Sequence, residues 1–155
     1  MKEENAHTSP AELLLSEPAN SREWEEYFNL RWSVLRQPWK QPRGSERDER
    51  ESDSVHLMIC DTEHHPIATG RLHFNSPLEA QIRFMAVAPR WQHLGLGSRI
   101  LGALERRAKA ASAAFVVLNS RDGAVPFYEK HGYKTEQPAE TLFGKVAHIR
   151  MRKKL

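Results

Sequence analysis

The chain has a single cysteine, Cys60, among its 155 residues, so it can form no internal disulfide. A disulfide framework is excluded, and a reducing, cytoplasmic setting is the expectation. Long hydrophobic runs are missing as well. A stretch such as 113–118 falls far short of the roughly 20 apolar residues that a bilayer-crossing helix needs, and the polar start MKEENAHTSP has no apolar core of a secretory signal. No membrane partner is expected. Neither sign of charge dominates, with 23 Lys and Arg against 20 Asp and Glu. The basic residues gather in 105–109 and in the closing MRKKL, without the interleaved aromatics or recognisable module of a nucleic-acid binder. No nucleic-acid partner is expected either. Internal repeats are absent. A length of 155 residues suits one domain with a real core, read as 11–155 behind a flexible stretch at 1–10.

The hydrophobic pattern supplies the elements. Glu12 to Ser16 can form a short edge strand. Asn20 and Glu23 have the spacing of a capping box, and Trp24, Phe28, Trp32 and Leu35 step along one helical face beside Tyr27. Residues 37–54 combine prolines, a glycine and dense mixed charge, the mark of a long connection that is either functional or unstructured. Three alternating segments follow, at 55–60, 66–74 and 82–87, with turns short enough for antiparallel pairing. Ile100, Leu101, Leu104 and Ala108 mark a helix over 97–111. The run 113–118 reads as a buried strand, 122–130 as a short helix stopped by Gly132, and 145–153 alternates again. Helices interleaved with a mixed, mostly antiparallel sheet predict a three-layer α/β or α+β domain.

The sharpest local signal lies between the third alternating strand and the next helix, in Met85-Ala86-Val87-Ala88-Pro89-Arg90-Trp91-Gln92-His93-Leu94-Gly95-Leu96-Gly97-Ser98. Glycines let a backbone come close to a ligand, and the free N–H groups at a helix start attract anions. The spacing suits a phosphate but is neither a Walker A loop nor a complete dinucleotide fingerprint. No ribose-binding pattern follows, which sets aside an NAD-binding domain.

Gln92-x-x-Gly95-x-Gly97 resembles the signature of the GNAT family of N-acetyltransferases, and Met85-Ala86-Val87 matches the strand before it. About 30 residues on, Phe127-Tyr128-Glu129-Lys130-His131-Gly132-Tyr133 is similar to that family's second hallmark. The resemblance spans about 12–152. It implies a GNAT-like sheet flanked by helices and a transfer from acetyl-CoA to an amine-bearing acceptor, by direct attack in a ternary complex.

It also implies roles for single residues. Backbone amides from His93 through Gly95, Leu96, Gly97 and Ser98 hold the cofactor's pyrophosphate, with Gln92 at the family's Gln/Arg position. The main chain of Met85, Ala86 and Val87 pairs with the pantetheine arm. Tyr128 is the general acid, since a phenol stays protonated at neutral pH. The chain departs from the pattern in two places. Arg121 stands where many members have a cofactor-contacting Asn, leaving Asn119 as the nearest substitute. The strand before the loop carries no acid at its centre, so no base is identified; His73 and His148 are the candidates by their usual pKa. The missing acid keeps open a second class, a non-catalytic acyl-CoA-binding module. No metal is expected, because adjacent His64 and His65 lack chelating spacing, and an acyl-cysteine route through Cys60 has no activating base. The acceptor stays open between polyamine, aminoglycoside, amino acid and protein amine, and a homodimer, common in the family, stays open too.

Overall fold

The computed structural model describes residues 9–155. The expected flexible stretch therefore lies almost wholly outside the described residues. After a 3₁₀ turn at Pro10–Glu12, strand β1 (Leu14–Ser16) leads to helix α1 (Ser21–Leu35). The Asn20 side chain accepts from the Glu23 N–H at 2.9 Å, capturing one of the donors that a helix start leaves unpaired. Glu23 in turn accepts from the Ala19 N–H at 3.2 Å, one residue ahead of the cap. The result is a capping box shifted by one position.

Strands β2 (Val55–Cys60), β3 (Pro66–Ser76) and β4 (Glu79–Val87) form an antiparallel meander. Helix α2 (Leu96–Ala110), strand β5 (Phe115–Arg121), helix α3 (Val125–Lys130) and strands β6 (Lys134–Pro138) and β7 (His148–Lys154) complete the chain. Among the described residues the sheet has seven strands in the order β1-β2-β3-β4-β5-β7-β6, and every pair is antiparallel except β4 with β5. The mixed three-layer prediction holds.

Helices α1 and α2 take opposite faces of the sheet, and β2 shows how. Leu57 and Ile59 join the core under α2, whereas Met58 and Cys60 pack against Tyr27 and Phe28 of α1. On α2 the expected face is buried, with Ile100, Leu101, Leu104 and Ala108 at 1% exposure or less. Each of the larger side chains contributes about 1.5–3 kcal/mol by leaving water. On α1 the buried face is turned from the one read in the sequence. Tyr27, Phe28, Leu30, Arg31 and Leu35 are buried, while Trp24 and Trp32 are half-exposed.

The sheet is not continuous at its centre. β4 pairs with β5 only from Glu79 to Ile82, opposite Phe115 to Leu118, and beyond that the two strands no longer pair with each other. The divergence coincides with a bulge: between Thr69–Ala86 and Arg71–Arg83, β4 uses one residue more than β3. Bulges bend and twist a strand. Phe84, inside this one, has φ of +56°, a conformation that a bulky residue rarely adopts.

Opposite the bulge lies Gly70, against which the side chains of α2 pack directly. A Cβ there would collide with Cγ2 of Ile100 and lie 2.9 Å from both Leu104 Cδ1 and Met85 Sδ. Gly70→Ala should therefore destabilise the fold by about 1–3 kcal/mol through overpacking. Urea unfolding checks this, and an unchanged midpoint would mean that α2 is not held as closely as described.

Candidate active site

The gap between β4 and β5 opens into a cleft of 720 Å³. Every donor-site candidate and the proposed acid line it: Met85, Ala86 and Val87 on β4, Gln92, His93, Gly95, Leu96, Gly97 and Ser98 at the loop and helix start, Asn119 on β5 and Tyr128 on α3. One wall is the β4 edge from Arg83 to Val87, which has lost its strand partner and so offers backbone groups to a ligand.

At one end the cleft meets the start of α2. The loop before it turns twice through left-handed backbone, at His93 (φ +64°) and Gly95 (φ +82°). Gly95 is the N-cap and supplies no side-chain acceptor, so the N–H groups of Leu96, Gly97 and Ser98 stay free and carry the positive end of the helix dipole. A Cβ built on Gly97 would lie 3.5 Å from the Phe127 ring, so the start of α2 sits beside α3. The Gln92 side chain donates to the Val87 carbonyl at 3.1 Å, which pins the loop to the end of β4. The hydroxyl of Ser98 bonds His131 Nε2 at 2.9 Å. Geometry and donors alike fit a pyrophosphate.

Tyr128 is 8% exposed and stacks edge-on against Phe127 and Tyr133. Among the described residues no group bonds its hydroxyl, and burial, only partly offset by Arg121, pushes its pKa up to about 12. The phenol is therefore a proton donor throughout the neutral range. His148 pairs with Arg121 across β7 and β5 and lines the same cleft. Its Nδ1 lies 2.8 Å from the Val146 carbonyl, so in the neutral ring Nδ1 donates and Nε2 is left as the acceptor. His73 is elsewhere: its ring bonds Arg71 and Asn75 and does not line the cleft. Cys60 is buried against α1, also outside the cleft, and burial raises its thiol to about 11. Among the described residues no group of three His, Cys, Asp or Glu could hold a metal ion. No helix there is long and apolar enough to cross a membrane.

Sequence reasoning missed the arginines. Four guanidinium groups surround the Phe84 ring: Arg31 at 4.4 Å from its centre, Arg83 at 4.5 Å, Arg71 at 4.9 Å and Arg36 at 5.7 Å. Each lies within cation–π range. Residues 36–54 supply the counter-charge. Asp48 accepts from Arg71 at 2.6 and 2.9 Å and from Arg83 at 2.6 Å. Glu51 accepts from Arg31 at 2.9 Å and from Arg71 at 3.0 Å. The stretch that could have been unstructured is thus a lid of carboxylates on a buried cationic cluster. A signal was available, since Arg31, Arg71 and Arg83 interrupt otherwise apolar patterns, although arginine is ordinarily exposed.

A cleft between diverging parallel strands, with an anion-receptive helix start at one end and a buried phenol beside it, defines a transferase of the acyl-CoA-using class. Comparison with known proteins agrees. The model of the Acetyltransferase (GNAT) family matches residues 24–133. The uncharacterized N-acetyltransferase YjcF of Bacillus subtilis (strain 168) is 31% identical over 134 residues, covering 86% of this chain and 94% of that protein. Among solved structures, an acetyltransferase of the GNAT family from Staphylococcus aureus Mu50 superposes with a TM-score of 0.77 at 16% identity, over 92% of this chain and 99% of the other. An aminoglycoside 6′-N-acetyltransferase complexed with coenzyme A gives 0.75 at 14% identity, over 91% and 96%. The chain belongs to the GNAT family and is an acyltransferase.

Asp48 offers a direct test of the cluster. Burial works against its ionisation, but hydrogen bonds from Arg71 and the Arg50 N–H, with the charges of Arg71 and Arg83, outweigh it and hold the carboxyl well below the usual range. A folded pKa below the unfolded value of about 3.9 stabilises the protein above about pH 4, and that stabilisation is lost as pH falls further. Asp48→Asn should cost about 3 kcal/mol at pH 7, since it leaves buried cations short of a partner. The gap to wild type should narrow below about pH 4. Unfolding at several pH values checks both; a gap that does not vary with pH removes the carboxylate from the account.

Proposed function

We propose that the chain is an N-acetyltransferase that moves the acetyl group of acetyl-CoA to a primary amine by direct transfer in a ternary complex. The observation that carries this is the single cleft joining a free helix N-terminus, an unpaired strand edge and Tyr128. The related aminoglycoside acetyltransferase, solved with coenzyme A, supports the same donor.

The donor supplies an activated thioester; the protein supplies position and protons. The amides at Leu96, Gly97 and Ser98 hold the pyrophosphate, and the β4 edge from Met85 to Val87 aligns the arm and polarises the carbonyl. Gln92 keeps the loop in register, and Asn119 faces the cleft from β5. His148 Nε2 takes a proton from the amine as the new carbon–nitrogen bond forms. Tyr128 gives its proton to the sulfur as the carbon–sulfur bond breaks, and recovers one from solvent afterwards. Most of the acceleration comes from holding amine and carbonyl at attack distance.

Calorimetric titration with acetyl-CoA tests the donor site. Wild type should bind, and Gly97→Asp should lose binding yet stay folded, because its Cβ meets only ordinary contacts while its charge opposes phosphate. Failure of the folded wild type to bind would sink the reading. Tyr128→Phe and His148→Gln should each lower kcat by about 10²-fold or more, with acetyl-CoA affinity unchanged. A variant that keeps the full rate removes its residue from the chemistry.

A further inference from the structure

Positive charge exceeds negative charge at the bulge end of the cleft. Arg36, Arg83 and Arg121 line it together, and among the described residues the one carboxylate that lines it is Glu140, which is solvent-exposed in the β6–β7 connection. Within the buried cluster, Asp48 and Glu51 already serve Arg31, Arg71 and Arg83, three cations on two anions. Arg36 gives its Nε to the Ser45 carbonyl at 2.9 Å and Nη1 to the Leu35 carbonyl at 3.2 Å, both neutral acceptors. The nearby Glu46 is taken by the Gly44 N–H at 2.7 Å and by Arg47 at 3.5 Å. Arg121 has no hydrogen bond or salt bridge from its guanidinium among the described residues, although it is partly buried.

The arginines also act on one another. Burial lowers the Arg36 pKa, the charges of Arg83 and Arg121 lower it further, and Glu46 pulls the other way. The three line the same cleft and so share one space. Guanidinium groups taken from water without a counter-ion are costly, and planar forks are well matched to carboxylates. The site is also removed from the pyrophosphate amides. Ile82 with Leu118 is the last β4–β5 pair, and Arg121 lies three residues beyond it on β5, on the wall of the cleft that faces away from the loop starting α2.

The geometry points to an acceptor that carries a carboxylate beside its amine, an amino-acid-like substrate whose acid group is received by Arg121, Arg83 and Arg36. This rests on the acetyltransferase reading. The same field disfavours a polycationic acceptor through like-charge repulsion, and it favours the neutral, nucleophilic form of the bound amine over the ammonium.

The test uses stable conjugates in which CoA sulfur is joined through an acetyl group to the nitrogen of glycine, glycinamide or spermidine. Calorimetric affinities are compared with that of CoA alone. The glycine conjugate should bind about tenfold or more tighter than the glycinamide conjugate, as expected for charge-assisted bonds, and the spermidine conjugate weakest. In Arg121→Gln, and separately in Arg83→Gln, the glycine-to-glycinamide ratio should fall toward one. A wild-type ratio of one, or preference for glycinamide or spermidine, overturns the inference and leaves the acetyltransferase reading intact. So does an equal weakening of CoA and all conjugates in the variants, which would assign the guanidinium groups to the donor. If CoA itself does not bind, the donor reading has failed and the inference goes with it.

Discussion

Between Arg83 and Ala86 strand β4 carries one residue more than its partner, and the phenyl ring of Phe84, on left-handed backbone, is met by four guanidinium groups. Strain of this kind costs on the order of 1–3 kcal/mol and persists only where the surroundings over-determine it. Here they do. The ring is fixed by cation–π contacts from α1, β3, β4 and the segment after α1, so the bulge cannot relax into regular pleat without breaking several of them. Because the bulge turns β4 away from β5, the cleft, the free strand edge and the approach to α2 all follow from it.

The cationic cage has its own requirement. Arg31 and Arg71 are fully buried, and unpaired they would cost far more than the ring returns. Asp48 and Glu51 meet that requirement from residues 36–54, and Tyr27 adds its hydroxyl to Arg31 at 2.8 Å. A stretch with few apolar residues is thereby ordered by charge rather than by a core. Buried ion pairs seldom add net stability over apolar packing; what this set provides is a unique placement for one segment of chain over one bulge.

The parts of the fold that buried apolar surface periodically were legible in the sequence. The α2 face at Ile100, Leu101, Leu104 and Ala108 is buried as read, and the meander strands differ only at their ends. Strand β6 was not resolved as a separate element: all five residues of Lys134–Pro138 are exposed, so no alternation marks it, and only its pairing with β7 makes it a strand. The donor-site candidates were legible because a glycine loop and an aromatic segment each sit at fixed spacing, and the fold brings them to one cleft. The carboxylate half of the cluster was not legible, because nothing in 37–54 tells a carboxylate bound for solvent from one bound for a buried guanidinium. That distinction arises only when α1, β3 and β4 place their arginines together. The rotated face of α1 has the same origin, since Arg31 takes a position that the apolar stepping left unassigned.

An unpaired strand edge ordinarily sits at the rim of a sheet, where any neighbouring chain can extend it. Here such an edge lies in the middle, recessed between β4 and β5 with helices on either side. Its backbone groups are offered from inside a cleft rather than from the rim, so the protein keeps a free strand edge without the self-association hazard of an open one.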